Sequence, residues 1–585
     1  MSDKKFEYYF WEGVSPKLSP YALPHPGLRP RREIDRERSI FCEYDVSVKM
    51  RDGGKIYIDI FRPEKEGRYP ALIAWGPYGK HNHFNEAYYP GSGVALSDLS
   101  QYCAFEAPDP AYWCPYGYVI INADPRGLWF SEGEATFYSE QEAQDCYDLI
   151  EWVAKQPWCS GKVGMLGVSY LATIQYRVAA LNPPSLAAIS PWEGSSDYYR
   201  ERAFHGGIPC LMLRYLAKER WCFSSTGRIE DIVRMAKEHP LFDDYWASKN
   251  PDLSKIKVPA FLVASWSDHG GHTRGTLEVF KKIASEDKYL IIHGRKKWQF
   301  FRQMVDLQRK FFNRYLKGID NEVKYWPRVI LEVRERYYLG NFRAENEWPL
   351  ARTQYKKLFL DADGTLKENL SDEENSLSYD AETGKLTFDY NFARETELTG
   401  YMKLKLWVEA KGSDDMDLFV GIEKYDRDGE FVRFPHTVMM YDYAPVALGW
   451  LRVSHRELDE RASTIYQPVH LHQRELKLRP GEIVSVEIEI WPTSILFRDG
   501  ERLRLVIQGH DILTYKSFGH TDLVNKGTHI IYVGGKFDSH LLLPVIPSLA
   551  DDFPRKITLP FQEVFDRKNL ISPSNISKRF CNLHC

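Results

Sequence analysis

No long run of lysine and arginine occurs in this sequence, and no apolar stretch approaches the roughly 20 residues that span a bilayer. The first absence removes the electrostatic footprint of a nucleic-acid or anionic-membrane binder. The 77 basic and 81 acidic residues nearly cancel, leaving a formal charge of −4. Cysteine is scarce and odd in number, nine in all with no CxxC pair, so neither a disulfide framework nor a zinc site is expected. A reducing, cytoplasmic setting fits that usage. Met1-Ser2-Asp3-Lys4-Lys5 leads into polar and aromatic residues rather than an apolar leader. The closing Cys581-Asn582-Leu583-His584-Cys585 lacks the cysteine four from the end that prenylation needs.

What is present is a globular composition, 43% hydrophobic and 27% charged, over 585 residues, too many for one core. Residues 1–40, with Pro16, Pro20, Pro24, Pro26 and Pro30, read as an extended arm wrapping a later surface. Cys42–Met50 and Lys55–Arg62 alternate around Asp52-Gly53-Gly54, which predicts a hairpin. Then come short apolar runs: Pro70–Trp75, Tyr118–Ala123, Val163–Leu166, Leu186–Ser190, Pro259–Trp266 and Tyr289–His293. Helix-period stretches such as Glu142–Gln156 and Tyr170–Leu181 separate several of them. Strands buried on both faces and alternating with helices predict an α/β fold with a mostly parallel sheet. The expected division is a catalytic domain over 41–190 and 258–322, interrupted by a helical cap at 191–257. From 323 to 585 the texture turns all-β, with strands such as Arg328–Arg334, Met402–Ala410 and Ile483–Ile490, and predicts a jelly-roll sandwich.

The sharpest local signal is Gly161-Lys162-Val163-Gly164-Met165-Leu166-Gly167-Val168-Ser169-Tyr170-Leu171-Ala172. A strand running into a small residue two before Ser, with a helix following at once, is what a nucleophile elbow needs. Leu171 stands where the second Gly of G-x-S-x-G would be, and a helix-capping Ser gives the same pattern. Chain order supplies the context. Pro259–Trp266 ends in Ser267-Asp268, and the next strand ends in His293, so Ser, acid and His fall in the α/β-hydrolase order at successive strand ends.

These residues resemble the cocaine esterase / X-prolyl dipeptidyl peptidase superfamily. So do Gly76-Pro77-Tyr78-Gly79-Lys80, Asp124-Pro125-Arg126-Gly127, Gln141-Glu142 through Trp158, Asp414-Asp415-Met416-Asp417 and Gly449-Trp450-Leu451-Arg452. The similarity spans roughly 40–550. It implies an α/β-hydrolase with a helical cap and a C-terminal jelly roll, a nucleophile at Ser169, an acid at Asp268, and an oxyanion hole formed by the Tyr170 amide and the Tyr78 hydroxyl. One departure stands out. The family's better-known esterases carry Gly-Pro-Trp-x-His after the strand, whereas this chain reads His293-Gly294-Arg295-Lys296-Lys297-Trp298. The expected base is therefore His293, with an incomplete triad the other reading and His269 and His272 as spares. Asp124 and Arg126 read as a turn held by an ion pair. Trp192, Trp266, His269 and Trp298 are candidates for a substrate pocket, with core packing the alternative for the tryptophans.

The function expected is hydrolysis of a small-molecule ester or amide through an acyl-serine, needing no metal or organic cofactor. Acyl transfer or condensation from the same acyl-serine, and non-catalytic ligand binding, are the rivals. A peptidase would need an acidic anchor, for which Glu193, Asp197 and Glu201 are available. No nucleic acid or membrane partner is expected, and the oligomeric state stays open, a homodimer included.

Overall fold

A computed structural model describes residues 6–20, 27–81, 91–436, 441–513 and 518–547. Pro24, Pro26 and the tail carrying Cys581 and Cys585 lie outside them. The central sheet is built from β1 (Ile40–Lys49), β2 (Lys55–Pro63), β3 (Tyr69–Trp75), β4 (Val119–Asp124), β5 (Cys159–Val168), β6 (Leu186–Trp192), β7 (Ala260–Ser265), β8 (Lys288–His293) and β9 (Val329–Arg336). Its spatial order is β1-β2-β4-β3-β5-β6-β7-β8-β9. β2 runs antiparallel to both its neighbours, β1 and β4, and from β4 onward in this order every pair is parallel. Helices α1 (Glu140–Ala154), α2 (Tyr170–Ala180) and α3 (Thr273–Lys282) make crossovers, and a short α4 (Lys297–Gln303) follows β8.

The period-2 geometry of strands explains why these runs are apolar throughout. In β3, Leu72 packs into one core while Ala71 and Ile73 pack into the other. Ile120 is divided in the same way from Val119 and Ile121, and Phe261 and Val263 from Leu262 and Ala264. Both faces are covered, so neither can be polar. One strand departs from expectation. Val329–Arg336 does not open the sandwich but pairs in parallel with β8, so the hydrolase sheet runs past residue 322.

Between β6 and β7 the chain forms the cap: a π-helical turn at Tyr199–Ala203, a small hairpin pairing Phe204–His205 with Ile208–Pro209, and short helices at Leu211–Tyr215, Ile232–Glu238 and Asp244–Lys249. The N-terminal arm lies along it, Phe10–Glu12 pairing antiparallel with Arg228–Glu230. The C-terminal region packs two antiparallel sheets. Thr396–Lys411 pairs with Val484–Phe497 and His540–Ile546 in one, and Asp417–Tyr425 with Ala447–Arg452 and Arg502–Gln508 in the other. Leu404, Leu406, Leu418, Val420, Ile488 and Leu505 fill the space between them.

Candidate active site

Strand β5 ends one residue before Ser169, and α2 begins one residue after it. The bend forces Ser169 to φ +58°, ψ −108°, a conformation that costs a non-glycine residue about 1–3 kcal/mol. The close approach explains Gly167, where a Cβ would stand 2.4 Å from Leu171 Cβ. It also accounts for Leu171. That side chain lies over Gly76, where a Cβ would meet Leu171 Cδ1 at 2.4 Å, so the room usually provided by a second glycine of the motif is provided by Gly76.

The Ser169 hydroxyl is 3.0 Å from His272 Nε2, and His272 Nδ1 is 2.5 Å from Asp268 Oδ2. Acid and imidazole therefore come from one segment. The amides of Gly271 and His272 both bond the Asp268 carbonyl, closing a helical turn just before α3. Residues four apart on such a turn face each other. Asp268 accepts from Nδ1–H, which leaves the Nε2 lone pair directed at the serine. Burial, helped by the cations of Arg202 and Lys297, holds His272 well below the usual imidazole range. It is neutral, as a proton acceptor must be.

His293 does not take this place. Its Nδ1 accepts the Arg295 amide at 3.1 Å, so its Nε2–H donates to Glu193 Oε1, also at 3.1 Å, and the ring stacks on Phe300 at 3.9 Å. Both nitrogens are engaged and no lone pair is left to receive a proton. The expectation of His293 on the serine hydroxyl is corrected to His272, one of the two spares. The Asp-x-x-x-His spacing from Asp268 was the available signal.

Three further ionisable groups surround the pair. Lys297, at the start of α4, reaches Asp268 Oδ2 at 3.4 Å and His272 Nδ1 at 3.3 Å. Its proximity, with that of His272, holds the buried Asp268 carboxylate far below the usual range, against the desolvation that would raise it. Glu193, just past β6, is pushed the other way by burial and by Asp268, and keeps its proton. It forms a carboxyl–carboxylate hydrogen bond with Asp268. Arg202, from the cap's π-helical turn, places Nη2 2.6 Å from His272 Nε2 and 3.5 Å from Ser169 Oγ. A guanidinium only donates, so Arg202 competes with the serine for the imidazole lone pair.

A base works only when neutral, so activity falls as pH drops through its pKa. With that pKa depressed, the acid limb of kcat/KM lies well below pH 6.5 in the wild type. Arg202→Met removes one depressing cation and is expected to move the limb toward higher pH. A limb that stays put would show that Arg202 does not act on His272.

The Tyr170 amide is the first N–H of α2, where no helical carbonyl is available to it. The Tyr170 side chain serves the core instead, stacking on Tyr138 at 4.3 Å and donating to Glu142 at 2.8 Å. The Tyr78 hydroxyl bonds the carboxyl of Glu106, which burial raises to about 7. Trp298 donates to the same carboxyl at 3.0 Å. The side chains of Trp192 and Trp266 are not brought to the serine, although the Trp192 carbonyl accepts the Ser169 amide at 3.0 Å. Trp192 packs on Phe261 and Phe301 in one core, and Trp266 packs on Trp348 in the other with its Nε1 bonded to the Glu332 carbonyl. His269 lines a cavity between cap and sandwich with His205, Met212 and His436, its Nδ1 accepting the Leu448 amide. Arg126 pairs with Asp145 and Asp52, while Asp124 accepts the Lys80 amide.

Residues 52–223 and 211–296 match the X-Pro dipeptidyl-peptidase (S15) family, and residues 321–542 match the C-terminal non-catalytic domain of X-Pro dipeptidyl-peptidases. A crystal structure of a CocE/NonD family hydrolase from Staphylococcus aureus is 44% identical. It superposes with a TM-score of 0.84 over 87% of this chain and 94% of that one. The cocaine esterase of Rhodococcus sp. (strain MB1 Bresler) is 25% identical over 86% of this chain and 98% of its own. An alpha-amino acid ester hydrolase, 17% identical with a TM-score of 0.67 over 88% of this chain and 98% of that one, shares the fold.

Proposed function

The chain belongs to the CocE/NonD family of hydrolases, and from that premise we propose that it cleaves a small-molecule ester or amide through an acyl-enzyme on Ser169. The supporting observation is the 3.0 Å approach of Ser169 Oγ to a neutral imidazole nitrogen whose tautomer Asp268 sets. His272 takes the hydroxyl proton as the oxygen adds to the carbonyl carbon, and the new oxyanion lies between the Tyr170 N–H and the Tyr78 O–H, which must turn to it from the Glu106 carboxyl. His272 then returns the proton to the leaving alcohol or amine. Water repeats the addition, with His272 again as base, and frees the acid. Arg202 must give up the imidazole lone pair when substrate binds, and a carbonyl or carboxylate oxygen of the substrate is a suitable new acceptor for it.

The surroundings favour acyl groups without a free ammonium. Glu193 is committed to His293 and Asp268. Asp197 pairs with Arg200, and Glu201 accepts from Ser196 and Arg274. Arg202 adds positive charge beside the nucleophile. A fluorophosphonate probe is expected to label wild type and not Ser169→Ala, and wild type should turn over aryl esters in preference to Xaa-Pro amides with a free amino terminus. Equal labelling of both proteins would end the assignment.

A further inference from the structure

Beyond Arg202, away from the serine, the cap and the sandwich bring together three side chains with no part in acyl transfer. Arg202 Nη1 donates to Met212 Sδ at 3.4 Å, and Met212 shares a cavity with His205 and His520. The His205 and His520 rings meet with Nδ1 of the first 2.9 Å from Nε2 of the second. The thiol of Cys210 joins them, the three ligand atoms lying within 4.8 Å of one another.

The backbone fixes this convergence. Leu211 N–H bonds the Gly519 carbonyl at 2.8 Å and Thr521 N–H bonds the Pro209 carbonyl at 3.0 Å, flanking an antiparallel bridge between Cys210 and His520. In that register the two side chains leave the same face of the ribbon at their closest spacing. His205 stands opposite Ile208 in the hairpin that leads directly into Cys210.

Hydrogen bonding at the outer nitrogens sets the tautomers. His205 Nε2 is 3.2 Å from the Glu201 carbonyl, so it carries the proton and Nδ1 carries a lone pair. His520 Nδ1 is 2.7 Å from Asp511 Oδ1, so its proton points there and Nε2 carries a lone pair. Two lone pairs directed at each other across 2.9 Å repel unless something positive lies between them. A proton would satisfy the pair and needs no third donor, whereas a metal ion does use one, and the Cys210 sulfur supplies it. One ion at roughly 2.1 Å from each nitrogen accommodates their spacing. A carboxylate and a carbonyl holding the far side of each imidazole are the usual outer partners of metal-bound histidines.

We propose that His205, Cys210 and His520 bind a thiophilic divalent ion, Zn2+ by its donor set, that ties the cap to the sandwich. The second cluster of this kind among the described residues, Asp45, Asp59 and His81, differs in one respect: the Lys80 ammonium already lies among its carboxylates. Among the described residues, no such side-chain cation bonds the facing nitrogens of His205 and His520. Cys210 is buried, and coordination would release the proton of its thiol. The expectation of no metal site rested on the lack of CxxC, a pattern blind to ligands that the fold gathers from 310 residues apart.

The test uses the full chain, stripped with a chelator and titrated with Zn2+ against a chromophoric competitor. Wild type is expected to take up one equivalent, and Co2+ in its place should give a thiolate-to-metal charge-transfer band. Cys210→Ser should abolish that band, His520→Ala should abolish tight uptake, and Asp511→Asn should weaken binding by about 10–100-fold. Failure of wild type to bind would mean that a proton bridges the imidazoles, and the proposal would fall. Unchanged zinc uptake in a folded Cys210→Ser/His520→Ala double variant, or a cobalt complex of wild type without the thiolate band, would also overturn it.

Discussion

Replacing His272 with alanine is expected to lower kcat by about 10⁴–10⁶-fold, while His293→Gln retains most of the turnover. The serine hydroxyl is not nucleophilic at neutral pH, and only an imidazole with an open lone pair beside it can remove the proton as the bond forms. His272 meets both conditions. His293 meets neither, since its two nitrogens serve Glu193 and the Arg295 amide. Glutamine at 293 can still offer an N–H to Glu193. The measurement is steady-state hydrolysis of an aryl ester by both variants, with circular dichroism to establish folding. The reverse order, a dead His293 variant and an active His272 variant, would return the base to the end of β8.

Asp268→Asn is expected to cost about 10⁴-fold in kcat while leaving the backbone turn in place. The amide's NH2 can donate to His272 Nδ1, which moves the ring proton to Nε2 and removes the lone pair from the serine. Glu193→Gln behaves differently. Because burial and the Asp268 charge keep Glu193 protonated, it already acts as a donor to Asp268 and an acceptor from His293. A glutamine reproduces both bonds, so its loss in kcat should be far smaller than that of Asp268→Asn. Equal losses would mean that Glu193 works as a carboxylate.

Much of this was legible in the sequence because the residues involved answer to local geometry. Gly167 and the helix after it announce a tight strand-to-helix turn, and Asp268 follows directly from a buried strand. The proposed base was hidden for a physical reason. A catalytic histidine need only bring its ring to the hydroxyl, and here a single helical turn from Asp268 does so, while the strand-end histidine is consumed in supporting a carboxyl group. Lys297 occupies the stretch where the family's histidine was expected, and it places a cation against the acid.

The sheet shows the same division. Val329, Ile330 and Leu331 form a consecutive apolar run, the mark of a strand buried on both faces, yet their place at the opening of an all-β stretch suggested the sandwich. The pairing partner decides, and that is a long-range fact. Trp192 and Trp266 sit at strand ends as anticipated, but alternation sends one into each core rather than toward the serine. Arg202 had no sequence signal. It acts from a cap whose position over the sheet is fixed by its contacts with the arm and the sandwich.

The most direct test of the central claim is peptide mapping of the protein after reaction with a fluorophosphonate, with wild type and His272→Ala run side by side. The triad built on His272 predicts rapid modification of wild type at Ser169 alone and modification of the variant slower by orders of magnitude. A phosphonyl group found on another residue, or equal rates for the two proteins, would contradict it.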